Sequence, residues 1–351
     1  MDISHIPMVS VILPVRNEVV YIARSLHSIL MQDYPAQRLE ILVVDGQSRD
    51  GSREVVQRMA DQQKRFPIYL FDNPKLITPA ALNIGICHAR GEIIIRVDGH
   101  CEIKSDYVRR CVEHLQREAV DGVGGAIVTV GDTYLARAIA DATSSSFGVG
   151  NSLFRLRRVA QVFSDSVPFP AYRRDIFKHV GFFDEEMLCN EDDEFNYRVR
   201  EMGGRILLTM DIHSHYFCRE SLSALSVQYF RFGLWKIRVM QKHPRQMSLR
   251  QFVPPLFVLA LFGSILLALF PLSRSLSLVI PLVYIFTNLL ASLYTAIRYD
   301  LQTLPVLPFV FVTIHLSYGL GFLAGLIKFA NLWGKTEVEK PVFQSEHEKE
   351  C

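Results

Sequence analysis

Four short apolar runs in the first hundred residues are each followed by a segment with helical periodicity. The runs cover residues 9–13, 39–44, 68–71 and 92–97. The first helical segment places Ile22, Leu26, Ile29 and Leu30 on one face. Apolar runs that alternate with helices predict a parallel β-sheet covered by helices on both faces. The sequence therefore predicts an α/β fold for the amino-terminal part of the chain.

Three long uncharged runs follow Arg250. Residues 251–273 and 275–297 are 23 residues each, and residues 301–327 are 27 residues. A helix of about 20 apolar residues crosses the hydrocarbon core of a bilayer, so the first two runs predict transmembrane helices. The third run contains Pro305, and the sequence leaves open whether this run spans, kinks or re-enters.

Charged residues are distributed unevenly along the chain. Residues 1–220 carry 26 Lys and Arg against 30 Asp and Glu, whereas residues 221–250 contain six basic and no acidic residues. Because Lys and Arg accumulate on the cytoplasmic side of membrane spans, the globular part is predicted to lie at the cytoplasmic face of a bacterial inner membrane. The basic residues are expected to contact anionic lipid headgroups. No basic module typical of nucleic-acid binding is found, so nucleic acid is not an expected partner.

These patterns predict four segments along the chain. They are a globular domain over residues 1–235, a basic collar over 236–250, a membrane region with two or three helices over 251–330, and a polar tail over 331–351. The six cysteines have no paired metal-ligand spacing, and we expect reduced thiols.

Polar residues follow the predicted strands at their carboxyl ends. Residues 14–18 come after the first strand, Asp45 ends the second and Asp98 follows the fourth. In an open α/β sheet, ligands bind at this edge. A strand-end Asp also commonly caps a helix, but three polar segments that converge on one edge favour a site.

An acidic cluster at residues 190–194 forms a second candidate feature. Asn190 is predicted as a helix N-cap, and the four acids that follow would fill the first turn, where the helix dipole favours negative charge. Four consecutive acids exceed what capping requires. Further on, Gln228 and Arg231 are spaced i, i+3 and share one helix face just before the membrane region.

Taken together, these segments resemble the family-2 glycosyltransferases. The motifs that carry the resemblance are residues 9–18 (VSVILPVRNE), 43–45 (VVD), 80–85 (AALNIG), 98–100 (DGH) and 191–192 (ED). With the carboxy-terminal apolar runs, they are most similar to succinoglycan-type (ExoA-like) bacterial exopolysaccharide glycosyltransferases. The resemblance implies a GT-A (Rossmann-like) nucleotide-sugar-binding domain with a mostly parallel sheet, followed by transmembrane helices.

The resemblance also implies roles for individual residues. Asp192 matches the position of the catalytic base, with Glu191 supporting it and Asp193 as a less favoured choice. Asp98 and His100 are the expected ligands of Mn²⁺ or Mg²⁺, which neutralises the leaving diphosphate. The residues expected to contact the nucleotide-sugar are Pro14, Arg16, Glu18, Asp45, Lys75, Asn83, Asp98, Gln228 and Arg231.

The chain departs from the family pattern at three places. Asp45 is followed by Gly46, where the family commonly has a second Asp, so the contact of Asp45 with base or ribose stays open. His100 replaces the second carboxylate of the usual Asp-x-Asp motif, and a nitrogen ligand favours Mn²⁺. Phe232 stands where processive members have Trp, so long-chain synthesis is not implied.

The sequence therefore predicts a membrane-anchored inverting enzyme that moves a sugar from a nucleotide-sugar, with a UDP-sugar as the expected donor, to a lipid-linked saccharide in polysaccharide biosynthesis. Two alternatives stay open. One is transfer to polyprenyl phosphate, as in dolichyl-phosphate-mannose-synthase-like proteins, where the acceptor needs no base. The other is a non-catalytic scaffold subunit of a polysaccharide assembly complex.

Overall fold

The computed structural model describes residues 6–150, 152–156 and 160–334. Most of the expected polar tail, residues 335–351, lies outside this part of the chain. The strands are β1 (Val9–Val15), β2 (Leu39–Asp45), β3 (Ile68–Asp72), β4 (Ile93–Arg96), β5 (Cys101–Ile103), β6 (Gly122–Val130), β7 (Gln161–Phe163), β8 (Ala171–Arg173) and β9 (Ile206–Phe217). The helices are α1 (Ile22–Leu30), α2 (Ser52–Gln62), α3 (Thr78–His88), α4 (Tyr107–Arg117), α5 (Tyr134–Thr143), α6 (Ser146–Val149), α7 (Leu153–Leu156), α8 (Ile176–Val180), α9 (Glu191–Glu201), α10 (Leu222–Lys242), α11 (Val253–Ala268), α12 (Val279–Arg298) and α13 (Leu307–Lys328).

The described strands form one sheet in the order β3-β2-β1-β4-β8-β6-β9-β5, with β7 paired to β9. The four strands predicted from the sequence, β1 to β4, are all parallel and adjacent. Their central members, β1 and β2, are buried along almost their whole length, as expected for strands covered on both faces. The predicted α/β fold is confirmed.

The second half of the sheet is antiparallel and was not predicted. β8 pairs antiparallel with both β4 and β6, and β9 pairs antiparallel with β5 and β7. Three of these strands have only three residues, too few to show a hydrophobic period. This half continues the sheet sideways from β4, beginning with β8.

The described chain divides into two compact units. The first unit comprises residues 6–128 and 160–217, which carry most of the sheet, and the second unit comprises residues 129–150, 152–156 and 218–334. The expected boundary at residue 235 falls inside α10, which belongs to the second unit. Residues 129–150 and 152–156, expected in the globular domain, also group with the second unit.

Close packing between α10 and α13 explains why α10 belongs with the apolar helices. A Cβ added at Gly233 would lie 2.1 Å from the Tyr318 carbonyl oxygen, and one at Gly321 would lie 2.0 Å from that of Phe230. Only glycine permits this backbone approach. Ser226 and Ser317 also share a hydrogen bond of 2.8 Å across the pair.

Three helical segments in the second unit are long and apolar enough to cross a membrane. They cover Leu249–Ala268, Leu276–Arg298 and Leu307–Lys328. The first two are largely exposed, whereas 44% of the apolar window of the third is buried inside the unit. The third helix, α13, is therefore the packing centre of this unit.

Candidate active site

The loop that follows β1 is fixed to the loop that follows β2. Asn17 adopts a left-handed conformation with φ of 56°. Its backbone N–H donates to Ser48 Oγ at 2.9 Å, and its side-chain oxygen accepts from the Arg49 N–H at 2.9 Å. The Glu18 N–H donates to Ser52 Oγ at 2.7 Å. The ends of two neighbouring parallel strands are thus joined into one rigid edge.

Asp45 is almost fully buried at the end of β2. Its carboxylate accepts from the Ser48 N–H at 3.2 Å and from Arg53 Nη1 at 3.2 Å. Arg53 also donates to Asp72 at the end of β3, at 2.6 Å. The Asp45 carboxylate therefore closes the turn after its own strand and does not cap α2, whose N-cap residue is Gly51.

Asp98, Gly99 and His100 form a tight turn between β4 and β5. The Cys101 N–H donates to the Asp98 carbonyl at 3.1 Å and closes this turn. Gly99 packs against Glu18, since a Cβ there would lie 3.0 Å from Glu18 Cγ. Glu18 Oε1 lies 2.9 Å from His100 Nδ1. If Nδ1 carries the proton in this hydrogen bond, the Nε2 lone pair is left for a metal ion.

Arg96 joins Asp98 to the acidic helix. Its Nε donates to Asp98 Oδ1 at 2.8 Å, and its Nη1 donates to Glu191 Oε1 at 3.0 Å. Burial alone would raise the pKa of Asp98, but the Arg96 guanidinium outweighs it and holds that pKa below its usual value. Asp98 therefore stays ionised, and the strand end and the first turn of α9 share one cation.

The acidic cluster forms the first turn of α9, as predicted. Asn190 is the N-cap residue of α9, as predicted, but it adopts a left-handed conformation with φ of 63° and its side chain makes no capping hydrogen bond. Burial, followed by the negative charges of Asp193 and Glu191, raises the pKa of Asp192 to about 7, against the opposing effect of Arg96. Asp192 is half-buried, and its pKa suits a general base near neutral pH.

The other predicted donor-binding residues of the first unit lie around this edge. Pro14 is half-buried within β1. Arg16 Nη1 donates to the Leu76 carbonyl at 2.9 Å and lies against Gly46. Exposed Lys75 pairs with Glu185, which also accepts from Asn83 Nδ2 at 3.1 Å.

Asn83 is mainly committed to the protein itself. Its amide oxygen accepts from the Phe183 N–H and its Nδ2 donates to the Phe183 carbonyl, both at 2.9 Å. These two hydrogen bonds fix the segment that leads to α9.

Gln228 and Arg231 lie on α10, in the second unit. Arg231 is exposed and Gln228 is half-buried. Both positions are on the helix that packs against α13, and their roles stay predictions.

The residues at the Asp98 turn fit a divalent cation that is shared with a substrate. Within the described residues there is no cluster of three or more His, Cys, Asp and Glu that could hold a metal. Asp98 and His100 are both only partly exposed, and they offer a carboxylate oxygen and an imidazole nitrogen as ligands. Mg²⁺ and similar ions commonly bind through one or two protein groups plus substrate phosphates, so this small donor set is sufficient.

Arg96 is the functional candidate that the motif search missed. The family motif covers residues 98–100, and the sequence pattern assigns Arg96 only to a buried strand. A signal was present, because Arg96 is the one charged residue between Glu92 and Asp98. A charge in the middle of a buried strand requires a partner, and here it has two.

Comparison with known proteins gives the class of this fold and site. The family model described as Glycosyl transferase family 2 matches residues 10–181. The succinoglycan biosynthesis protein ExoA of Rhizobium meliloti is 32% identical over 258 residues, which cover 73% of this chain and 77% of that protein.

A second relative, from Methanococcus voltae, is a dolichyl N-acetyl-α-D-glucosaminyl phosphate 3-β-D-2,3-diacetamido-2,3-dideoxy-β-D-glucuronosyltransferase. It is 28% identical, over 91% of this chain and 97% of that protein. Among solved structures, the mannosyltransferase PcManGT from Pyrobaculum calidifontis, in complex with GDP-Man and Mn²⁺, superposes with a TM-score of 0.60. It is 20% identical, and the match covers 93% of this chain and 88% of that chain.

The fold is thus that of the GT-A glycosyltransferases, as expected from the sequence. The chain belongs to glycosyl transferase family 2 and resembles ExoA within it.

Proposed function

We propose that this protein is a membrane-anchored inverting glycosyltransferase. It transfers a sugar from a nucleotide-sugar, with a UDP-sugar as the first candidate, to a lipid-linked saccharide in polysaccharide biosynthesis. The first unit, called the catalytic unit from here on, lies at the cytoplasmic face of the cell membrane of a bacterium.

One observation carries this proposal, namely the double ion pair of Arg96 with Asp98 and Glu191. It brings the candidate diphosphate-binding turn next to the candidate base on α9, although 93 residues separate Asp98 from Glu191. A transferase that acts by direct displacement needs both groups around one reaction centre.

The chemistry then follows from the residues present. The acceptor hydroxyl attacks the anomeric carbon opposite the leaving nucleoside diphosphate. The new C–O bond forms while the bond to the diphosphate breaks with its electron pair, and the hydroxyl proton moves to Asp192. A pKa of about 7 lets Asp192 accept this proton at cytoplasmic pH.

A divalent ion at Asp98 and His100 would neutralise charge on the leaving diphosphate. Glu18 orients the His100 ring through Nδ1, and Arg96 keeps Asp98 ionised. The imidazole ligand favours Mn²⁺ over Mg²⁺.

The lipid-linked acceptor is proposed from the apolar helices and from the relatives. Three helices of this chain are suited to a bilayer, and the name of the Methanococcus relative describes a dolichyl-phosphate-linked sugar acceptor. Holding enzyme and lipid acceptor in one surface raises their effective concentration.

Transfer to polyprenyl phosphate itself is the second candidate. A phosphate acceptor is already ionised and needs no base, so the raised pKa of Asp192 favours the hydroxyl acceptor. Asp192→Asn separates the two, because full turnover of this variant would indicate a phosphate acceptor.

A donor panel tests the proposal. The full chain in detergent is incubated with Mn²⁺, a bacterial lipid extract and a set of UDP-, GDP- and dTDP-sugars, and released nucleoside diphosphate is measured. We expect release with one donor that depends on the lipid extract. Failure to bind any of these nucleotides would refute the proposal and favour a scaffold role.

A further inference from the structure

Arg96 bonds to both the Asp98 turn and the first turn of α9. Its guanidinium uses three separate nitrogen atoms for these contacts. Nε and Nη2 face the two oxygens of Asp98, and Nη1 faces Glu191. Such fork geometry is specific to Arg, because Lys offers a single ammonium group.

The backbone of Arg96 is held as firmly as its side chain. The Arg96 N–H donates to the Pro170 carbonyl at 3.1 Å, and the Val97 N–H donates to that of Ile12 at 3.0 Å. Arg96 also pairs with Ile12 in the register of β4 and β1. The guanidinium therefore projects from a fixed strand in the middle of the sheet, and the side chain is only 14% exposed.

The carboxylates around Arg96 outnumber it. Asp98 and Glu191 both bond to this one cation, and the charge on Asp192 also interacts with it. Without the guanidinium, Asp98 and Glu191 would lose their common partner, and repulsion would favour their separation. The Arg96 side chain thus holds the carboxylates of Asp98 and Glu191 close to each other.

We propose that Arg96 is a positioning residue that holds the diphosphate-binding turn at Asp98 and the base-bearing turn of α9 at the separation required for transfer. This inference rests on the proposed function. Arg96 itself contacts neither donor nor acceptor, and it acts through Asp98 and Glu191. A displacement of about 1 Å between reacting groups can reduce turnover about 100-fold.

The chain contains a matched control in the Arg198–Glu194 pair. Arg198 Nε donates to Glu194 Oε1 at 2.8 Å on the same helix, and both side chains are buried. Arg198 also donates to the carbonyls of Val180 and Phe182, both at 2.7 Å. This pair is also buried, and its Arg bonds within α9 and to the segment before it.

The test compares Arg96→Lys with Arg198→Lys in the full chain. Nucleoside diphosphate affinity and stoichiometry are measured by calorimetry with Mn²⁺, and kcat is expressed per nucleotide-binding site. For Arg96→Lys we expect kcat per site to fall about 100-fold while the nucleotide Kd changes less than about threefold. For Arg198→Lys we expect fewer folded molecules but an unchanged kcat per site.

Chemical rescue and a double variant add independent readouts. Added guanidinium ion should raise the turnover of Arg96→Ala at least about tenfold, and it should not raise the turnover of Arg198→Ala. The double variant Arg96→Lys, Asp192→Asn should lose little more turnover than Asp192→Asn alone, because the effects of residues that act as one unit are not additive. If the Ala variant does not fold, the Lys variant and the double variant decide.

Two results would overturn the inference. A rise of tenfold or more in nucleotide Kd with unchanged kcat would show that Arg96 contacts the donor directly. Equal kcat per site in the two Lys variants would show that Arg96 only stabilises the fold. A wild-type chain that binds nucleotide but transfers no sugar would instead refute the proposed function, so the two failures are distinguishable.

Discussion

Glu18 Oε1 lies 2.9 Å from His100 Nδ1, although the two residues are 82 positions apart in the sequence. The contact joins the loop after β1 to the turn after β4, and these strands are neighbours in the parallel half of the sheet. It also assigns a physical role to Glu18. A carboxylate on Nδ1 holds the imidazole ring in one orientation and would leave Nε2 to bind the proposed metal ion.

Replacing Glu18 should therefore weaken metal-dependent nucleotide binding. In Glu18→Gln, the amide oxygen still accepts from Nδ1 but no longer carries a charge, so we expect about tenfold weaker binding of Mn²⁺ with nucleoside diphosphate. Calorimetry at fixed pH measures this change. Glu102→Gln is the control, because Glu102 pairs with Arg24 on the protein surface. Equal affinities in both variants would contradict the role of Glu18.

Replacing Asp192 should lower the activity of the protein and raise its stability. In Asp192→Asn we expect turnover to fall about 100-fold or more, since general base catalysis contributes that much. Replacement by Asn also removes a buried charge that Asp193 and Glu191 repel. The folded-state pKa is raised, so ionisation of Asp192 disfavours folding as pH increases above the unfolded-state value.

The variant should therefore be more stable than the wild type at pH 8, with a smaller difference near pH 5. Thermal unfolding at the two pH values measures it. Asp193→Asn is the comparison for turnover, and equal losses in both variants would leave Asp192 without a distinct role.

Transfer should depend on pH in the range set by Asp192. Below about pH 7 the carboxyl group is protonated and cannot accept the hydroxyl proton, so kcat/KM should fall about tenfold per pH unit there. It should level off above this range. Nucleotide affinity, measured over the same range, serves as the control. A profile that is flat from pH 5 to pH 8 would rule out Asp192 as the base.

The packing of α10 on α13 should tolerate no side chain at Gly233. A methyl group there would lie 2.1 Å from the Tyr318 carbonyl oxygen, so Gly233→Ala should destabilise the second unit by about 1–3 kcal/mol. Gly263 on α11 is a matched control, because no atom lies within 4 Å of an added Cβ. Gly263→Ala should be neutral or slightly stabilising. Thermal unfolding in detergent compares the two, and equal midpoints would contradict the close approach.

The link between α11 and α12 should face away from the cytoplasm. Leu272 in this link is 97% exposed. A cysteine introduced as Leu272→Cys should react with a membrane-impermeant maleimide in intact spheroplasts, whereas the half-buried Cys87 and Cys189 should react only after lysis. Labelling of Cys87 or Cys189 in intact spheroplasts would reverse the orientation that the basic collar predicts.

Much of the fold was accessible from local patterns. The four strands of the parallel half are long buried runs, and three apolar helices follow from uncharged stretches of 23 to 27 residues. The antiparallel half was not accessible, because strands such as β8 have three residues and depend on their neighbours for pairing. The same holds for the boundary inside α10. Its membership of the second unit depends on Gly321, which is 88 residues from Gly233.

The sequence alone determined which residue types are present and where the longer strands of the parallel half and the apolar helices lie, since hydrophobic period and charge are local properties. It therefore identified Asp98, His100 and the acids of α9 as candidates. Only the tertiary structure decided which of these side chains meet. Arg96 bonds to Glu191 across 95 positions of sequence, and no local pattern encodes a contact that arises from the order of strands in the sheet.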